Sequence, residues 1–173
     1  MKPADIILVR GTGALSDAIA RMTHSHVSHA AMLVGVNPHI VIEAITPRVT
    51  VRPLDVCLKD ASAAYWLHRA DGAIDEQREA IVGYALRFCD DLYGSLDLAL
   101  QALDIVARSV VFTDILGAQV LKHWPICSYI PATSYEANGE PLVGIPSQDV
   151  TPANLYDAPS SDKRLAIEQI KGS

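Results

Sequence analysis

The sequence is short of positive charge: 14 Lys and Arg stand against 20 Asp and Glu, a formal net charge of −6. A domain that tracks nucleic-acid phosphates presents a basic face, so nucleic acid is excluded as a partner. Cysteine is scarce as well, with Cys57, Cys89 and Cys127 the only three. An odd number at these spacings makes neither a disulfide framework nor a metal-ligand pattern, and leaves at least one thiol to explain. Long uncharged apolar runs are also missing. The longest stretch free of Asp, Glu, Lys and Arg, Met22 to Ile42, holds His24, His26, His29, Asn37, Pro38 and His39, which a bilayer interior would not accept. Leu96 to Leu121 is very apolar, but Asp97, Asp104, Arg108 and Asp114 interrupt it. It reads as a core helix or as a helix in contact with a membrane surface (96–121), not as a span. At the start, Met1-Lys2-Pro3-Ala4-Asp5 reaches a carboxylate before the core of a signal peptide could form. The expectation is a cytoplasmic protein or one delivered by a signal-independent route, such as a secreted effector or a phage product.

Half of the 173 residues are apolar. That composition excludes intrinsic disorder, and the length suits one domain, residues 1–173, with a sizeable core. Apolar runs bounded by turn residues predict strands over Ile6–Val9, Val27–Val36, His39–Ala44, Val49–Arg52 and Ala64–Arg69. Ser16 is positioned to cap a helix reaching Met22. Helical spacing marks Asp75–Leu92, with Ile81, Tyr84, Ala85, Phe88 and Cys89 on one side. A further helix is expected over Ile126–Ala137, with Pro131 in its first turns, and a weaker strand over Leu142–Ile145. Leu165–Ile170 fits either a strand or a helix. Strands followed by helices indicate an α+β architecture.

Cys127 lies where a loop enters a helix. A thiol there meets unpaired N–H groups and the positive end of the helix dipole, both of which favour the nucleophilic thiolate. The alternative is a plain core cysteine, the reading given to Cys57 and Cys89. A nucleophilic thiol needs a base. Of His24, His26 and His29, only His29 opens an apolar strand, which fixes the direction of its ring. The three lack the spacing of common zinc sites. His39, His68 and His123 have no catalytic context. Glu43 is the only carboxylate between Asp17 and Asp55, and it sits inside an apolar run. It is either an orienter of His29 or a half-exposed edge glutamate. In a hairpin whose paired positions sum to 72, residues 29 and 43 face each other. A slip of one residue would turn Glu43 to the other side.

At these residues the sequence resembles the circularly permuted, NlpC-type branch of the papain-like cysteine hydrolases, the YiiX-like group. The motifs run in order: Asp5-Ile6-Ile7-Leu8, Leu15-Ser16-Asp17-Ala18-Ile19, Ser28-His29, Val41-Ile42-Glu43-Ala44, Val51-Arg52-Pro53-Leu54, Leu92-Tyr93-Gly94, Cys127-Ser128 and Thr151-Pro152-Ala153-Asn154-Leu155. The resemblance implies an antiparallel sheet or half-barrel with the cysteine helix packed against it. It also implies a triad of Cys127 as nucleophile, His29 as base and Glu43 as orienter, working without a cofactor or metal. Tyr93, Trp124, Ser128 and Tyr129 are candidates for contact with substrate. Relatives in the group cleave bacterial cell-wall peptides, and others resemble lecithin–retinol acyltransferase and act on lipids. Three functions follow as expectations. The first is an amidase or endopeptidase on cell-wall peptides. The second is a lipid-directed acyltransferase or acyl hydrolase, with 96–121 serving the acyl chain. The third is a binding module on an inactive fold.

Overall fold

The structure is a computed structural model that describes residues 1–45, 48–91 and 127–172. The segment 96–121 expected to be helical, together with Tyr93, His123 and Trp124, lies outside the described residues. Six strands form one antiparallel sheet: β1 (Ile6–Gly11), β2 (His29–Val36), β3 (His39–Ile45), β4 (Arg48–Pro53), β5 (Ala61–Arg69) and β6 (Leu165–Lys171). Their order across the sheet is β4-β3-β2-β1-β5-β6, and the sheet is open rather than closed into a barrel. The described helices are α1 (Ala14–Met22), α2 (Leu54–Cys57), α3 (Arg78–Leu86), α4 (Tyr129–Glu136) and α5 (Pro152–Ser161). None is long and apolar enough to cross a membrane.

Strand β1 is central, and Ile6, Ile7, Leu8 and Val9 are all buried, on alternating sides. A strand covered on both faces reads as a continuous apolar run instead of an alternation, and this one does. On one face Ile6, Leu8, Ala30, Met32 and Ile42 pack with Ile81 of α3, Ile130 and Tyr135 of α4, and Leu155 of α5. On the other face Ile7, Val9, Ala31, Leu33 and Val41 pack with Leu54 and Cys57 of α2.

The segment before β1 is tied down by a buried polar network. Asp5 is 1% exposed. The Arg78 guanidinium donates to Asp5 Oδ1 at 2.7 Å and to the Pro3 carbonyl at 2.6 Å. Asp5 Oδ2 accepts from Trp66 Nε1 at 2.8 Å and from the Lys2 backbone N–H at 2.6 Å. One residue away, the Tyr135 hydroxyl donates to the Ala4 carbonyl at 2.9 Å. A single carboxylate thus links α3, β5 and the chain's first residues.

Several elements depart from the sequence reading. Helix α1 starts at Ala14 with Gly13 as its N-cap, so Ser16 is not the cap. Its hydroxyl instead donates to the Gly11 carbonyl and meets the Ser28 hydroxyl at 2.5 Å. The span expected for α3 shrinks to Arg78–Leu86, and Cys89 falls beyond its end and is exposed. Leu142–Ile145 is irregular, not a strand. Helix α5 was not expected, although its start carries strong signals. Thr151 Oγ1 accepts from Asn154 N–H, and Asn154 Oδ1 accepts from Thr151 N–H, a reciprocal capping box with Pro152 in the first turn.

Candidate active site

The hairpin of β2 and β3 sets the geometry. Its pairs are Ala31–Glu43, Met32–Ile42 and Leu33–Val41, so paired positions sum to 74 and not to 72. Val34 is an extra residue, and the strands turn at Asn37-Pro38 instead of around Val36. An offset of two preserves the side each residue faces. His29 is therefore a diagonal neighbour of Glu43 on the same face, within reach of long side chains. His29 Nε2 and Glu43 Oε2 are 2.5 Å apart. The Glu43 side chain has no exposed surface, so it is not an edge residue, whereas that of His29 is 22% exposed and open to a substrate.

Strand β4 supplies a residue to which the sequence reading gave no role. Glu43 pairs with Thr50 and Val41 with Arg52, which makes Arg52 the diagonal neighbour of Glu43 on its other side. The Arg52 guanidinium Nε donates to Glu43 Oε1. The Cys57 thiol at the end of α2 donates to Glu43 Oε2 at 3.6 Å. Cys57 is thus a buried partner of the carboxylate and not mere filling. Arg52 was illegible because its partner depends on the β3–β4 register; the signal available was an arginine in a strand one hairpin from a lone buried acid.

Cys127 arrives from the opposite face. Pairing of β2 with β3 stops at Ala31–Glu43, and the next N–H along β2, that of Ala30, donates to Cys127 Sγ at 3.3 Å. The sulfur takes up a backbone donor just where the two strands part. Cys127 and Ser128 precede α4. Pro131 sits in the first turn of that helix, where a missing N–H costs nothing because no partner would be available. Glu43 occupies Nε2 of His29, which leaves Nδ1 free, and the Cys127 sulfur, held at the backbone of the next residue, is near enough to raise the proton affinity of the ring. Next to His29, the Ser28 hydroxyl is buried among Ser16, the Gly11 N–H and the Val9 carbonyl. These contacts pin the residue from which the ring departs.

Charge in the cluster is balanced around Glu43. Burial alone would lower the proton affinity of His29, but the Cys127 sulfur and the Glu43 carboxylate, each through charge and a hydrogen bond, outweigh it and push His29 up to about 10. Burial alone would raise Glu43, yet His29 and Arg52 hold it below its ordinary value. Burial and the Glu43 charge push the Cys57 thiol up to about 12, against the pull of Arg52.

These directions predict how stability depends on pH. A raised histidine contributes stability that is complete below its ordinary 6.5 and is lost as pH rises through about 10. A lowered carboxylate contributes above its ordinary 4.5 and fails as pH falls through its folded value beneath that. The gap in Tm between the native chain and His29→Gln is therefore expected to be widest between 4.5 and 6.5. It should narrow toward pH 10, as thermal scans across pH would show. A gap that widened with rising pH would contradict the pairing.

The remaining candidates are placed as follows. Ser128 is fully buried and its hydroxyl donates to the Val150 carbonyl at 2.6 Å, leaving only its backbone for a substrate. Tyr129 is half-buried, with its ring edge-on to Phe88 at 6.0 Å. Tyr93 and Trp124 are outside the described residues. His26 lies against Tyr156 at 5.6 Å, and His68 stacks on Trp66 at 4.0 Å, both away from the cluster's contacts.

Comparison with known proteins bears on this arrangement. A solved crystal structure described as the metalloprotein YiiX from Escherichia coli O157:H7 superposes with a TM-score of 0.66 over 99% of this chain and 97% of that one, at 18% identity. At that identity the likeness concerns the fold: an antiparallel sheet with helices in a permuted papain-like arrangement. Among the described residues, no group of three or more His, Cys, Asp or Glu side chains is arranged to hold a metal ion. No curated protein matches the chain. A family model does match, over residues 1–98, a span that includes His29, Glu43 and Arg52 and stops short of Cys127. By that match the chain belongs to the permuted papain-like amidase enzymes of the YaeF/YiiX type, the C92 family.

Proposed function

We propose that the chain is a single-domain cysteine amidase or endopeptidase that acts on bacterial cell-wall peptides through Cys127, His29 and Glu43. The observation that carries this reading is the ring of His29, held at Nε2 by a buried carboxylate, with the Cys127 sulfur seated on the N–H of the adjoining residue Ala30. His29 takes the thiol proton, and the sulfur attacks the amide carbonyl carbon. Backbone N–H groups at the start of α4, including that of Cys127, hold the oxyanion. His29 then gives its proton to the leaving nitrogen, the C–N bond breaks, and a thioester remains on Cys127. Water attacks the thioester carbonyl and loses a proton to His29, and the acid departs as the sulfur is restored. Glu43 keeps the ring oriented and stabilises its cation, as third members of other triads do.

The test is mass spectrometry of Cys127 after exposure to muropeptides and, separately, to phospholipids. An acyl adduct and new amines from the peptides are expected. An adduct from phospholipid alone would replace this reading with the acyltransferase one. No adduct from either would favour a binding module.

A further inference from the structure

We infer that Arg52 is a positioning residue of the site, the cation that lets a buried carboxylate, an imidazolium and a thiolate coexist. This rests on the triad proposed above and extends it by a fourth member. The argument begins with charge. Glu43⁻, His29⁺ and Cys127⁻ together carry one net negative charge in a region where Glu43 is completely buried. Uncompensated charge there is costly and is avoided by taking up a proton. Arg52 brings the sum to zero.

The geometry suits this role. Glu43 has two oxygens and three partners, drawn from every element packed around it. Oε2 faces His29 of β2 and the Cys57 thiol of α2, while Oε1 faces the Arg52 guanidinium of β4. Arg52 is the one member of the cluster that stays positive at every working pH and gives up no proton. Both His29 and Arg52 reach Glu43 diagonally across adjacent strand pairs. The two cations therefore approach opposite sides of one carboxylate, and each occupies a different oxygen. Arg52 has no described contact with Cys127, so its influence on the sulfur passes through Glu43 and His29.

Removal of the cation delays the thiolate by either of two routes. With Glu43 still ionised, the field at the sulfur becomes more negative; with Glu43 protonated, the carboxylate no longer stabilises the imidazolium that accompanies the thiolate. The experiment uses the full chain and no substrate. Alkylation of Cys127 by iodoacetamide is followed across pH by mass spectrometry of the Cys127 peptide, which separates it from the exposed Cys89. In folded Arg52→Gln the midpoint of the alkylation profile is expected to move up by about one pH unit, a roughly tenfold slower reaction below the midpoint. Arg52→Lys keeps the charge and should leave the midpoint near that of the native chain. On a peptide substrate, Arg52→Gln should lower kcat with little change in KM. An unshifted midpoint in folded Arg52→Gln overturns the inference. So does an Arg52→Lys midpoint displaced upward by about one pH unit from that of the native chain, a comparison that stands even if the glutamine variant folds poorly. A native chain whose Cys127 shows no preferential alkylation at any pH would overturn the nucleophile reading itself, which is a distinct result.

Discussion

Cys127→Ala and His29→Ala are each expected to lower kcat for peptide hydrolysis by roughly five to six orders of magnitude. The double variant should be scarcely worse than either single one. This non-additivity is the informative part. A nucleophile without its base, or a base without its nucleophile, forms no covalent intermediate, so the second deletion removes little. What survives is the rate conferred by binding and by oxyanion donors, and that residue of activity should be shared by all three variants. Steady-state kinetics on a single peptide would settle the matter. Two single losses that multiply in the double variant would show that the side chains act separately, and a Cys127→Ala chain with ordinary kcat would remove the thiol from the mechanism. The folding of Cys127→Ala is not at issue, since a small buried thiol gives way to a small apolar group.

The second large effect concerns stability. Asp5→Ala is expected to destabilise the chain by about 3–5 kcal/mol. Three donors (the Arg78 guanidinium, the Trp66 N–H and the Lys2 N–H) lose an acceptor at about 1–3 kcal/mol each, although Arg78 keeps Asp75 as a second carboxylate partner. Arg78 would keep its buried guanidinium, with a side chain 8% exposed, and lose the carboxylate 2.7 Å away. The Trp66 N–H would lose its acceptor too. At about 2–4 °C per kcal/mol for a chain of this size, Tm should fall by roughly 6–20 °C. Asp5→Asn keeps the shape and some of the hydrogen bonding and should fall less. Thermal unfolding of both variants provides the check, and a loss below about 1 kcal/mol for the alanine would mean that Asp75 and the Pro3 carbonyl satisfy Arg78 without Asp5.

Five of the six strands of the sheet could be read from the chain because apolar runs and turn residues are local signals, while the residues of β6 fit a strand or a helix equally. Register could not. The two-residue offset between His29 and Glu43 arises from the extra residue Val34 and the turn at Asn37-Pro38, features that alternation of side chains does not reveal. The site remained legible because an even offset leaves both side chains on one face. Arg52 was hidden for the complementary reason: its role exists only once two hairpin registers are known together. Cys57 was passed over since a cysteine after a valine in a short turn has no local pattern at all. Helix α5 is a different case, because Thr151-Pro152 and Asn154 are a cap signature written in adjacent residues. Glu43 owed its visibility to scarcity, as the only carboxylate between Asp17 and Asp55; Cys127 and His29 stood out by position, one at the entry to a helix and the other at the opening of an apolar strand.

The order of these parts along the chain has a consequence for synthesis. Ala30 and Cys127 are 97 residues apart. At ribosomal rates of about 5–20 residues per second, roughly 5–20 s separate the emergence of His29 and Glu43 from that of Cys127. The hairpin can settle its ion pairs in that interval, and the sulfur meets partners already in place. With these three residues acting as proposed, the hydrolase stays inert while it is being made, and its onset is timed by translation itself.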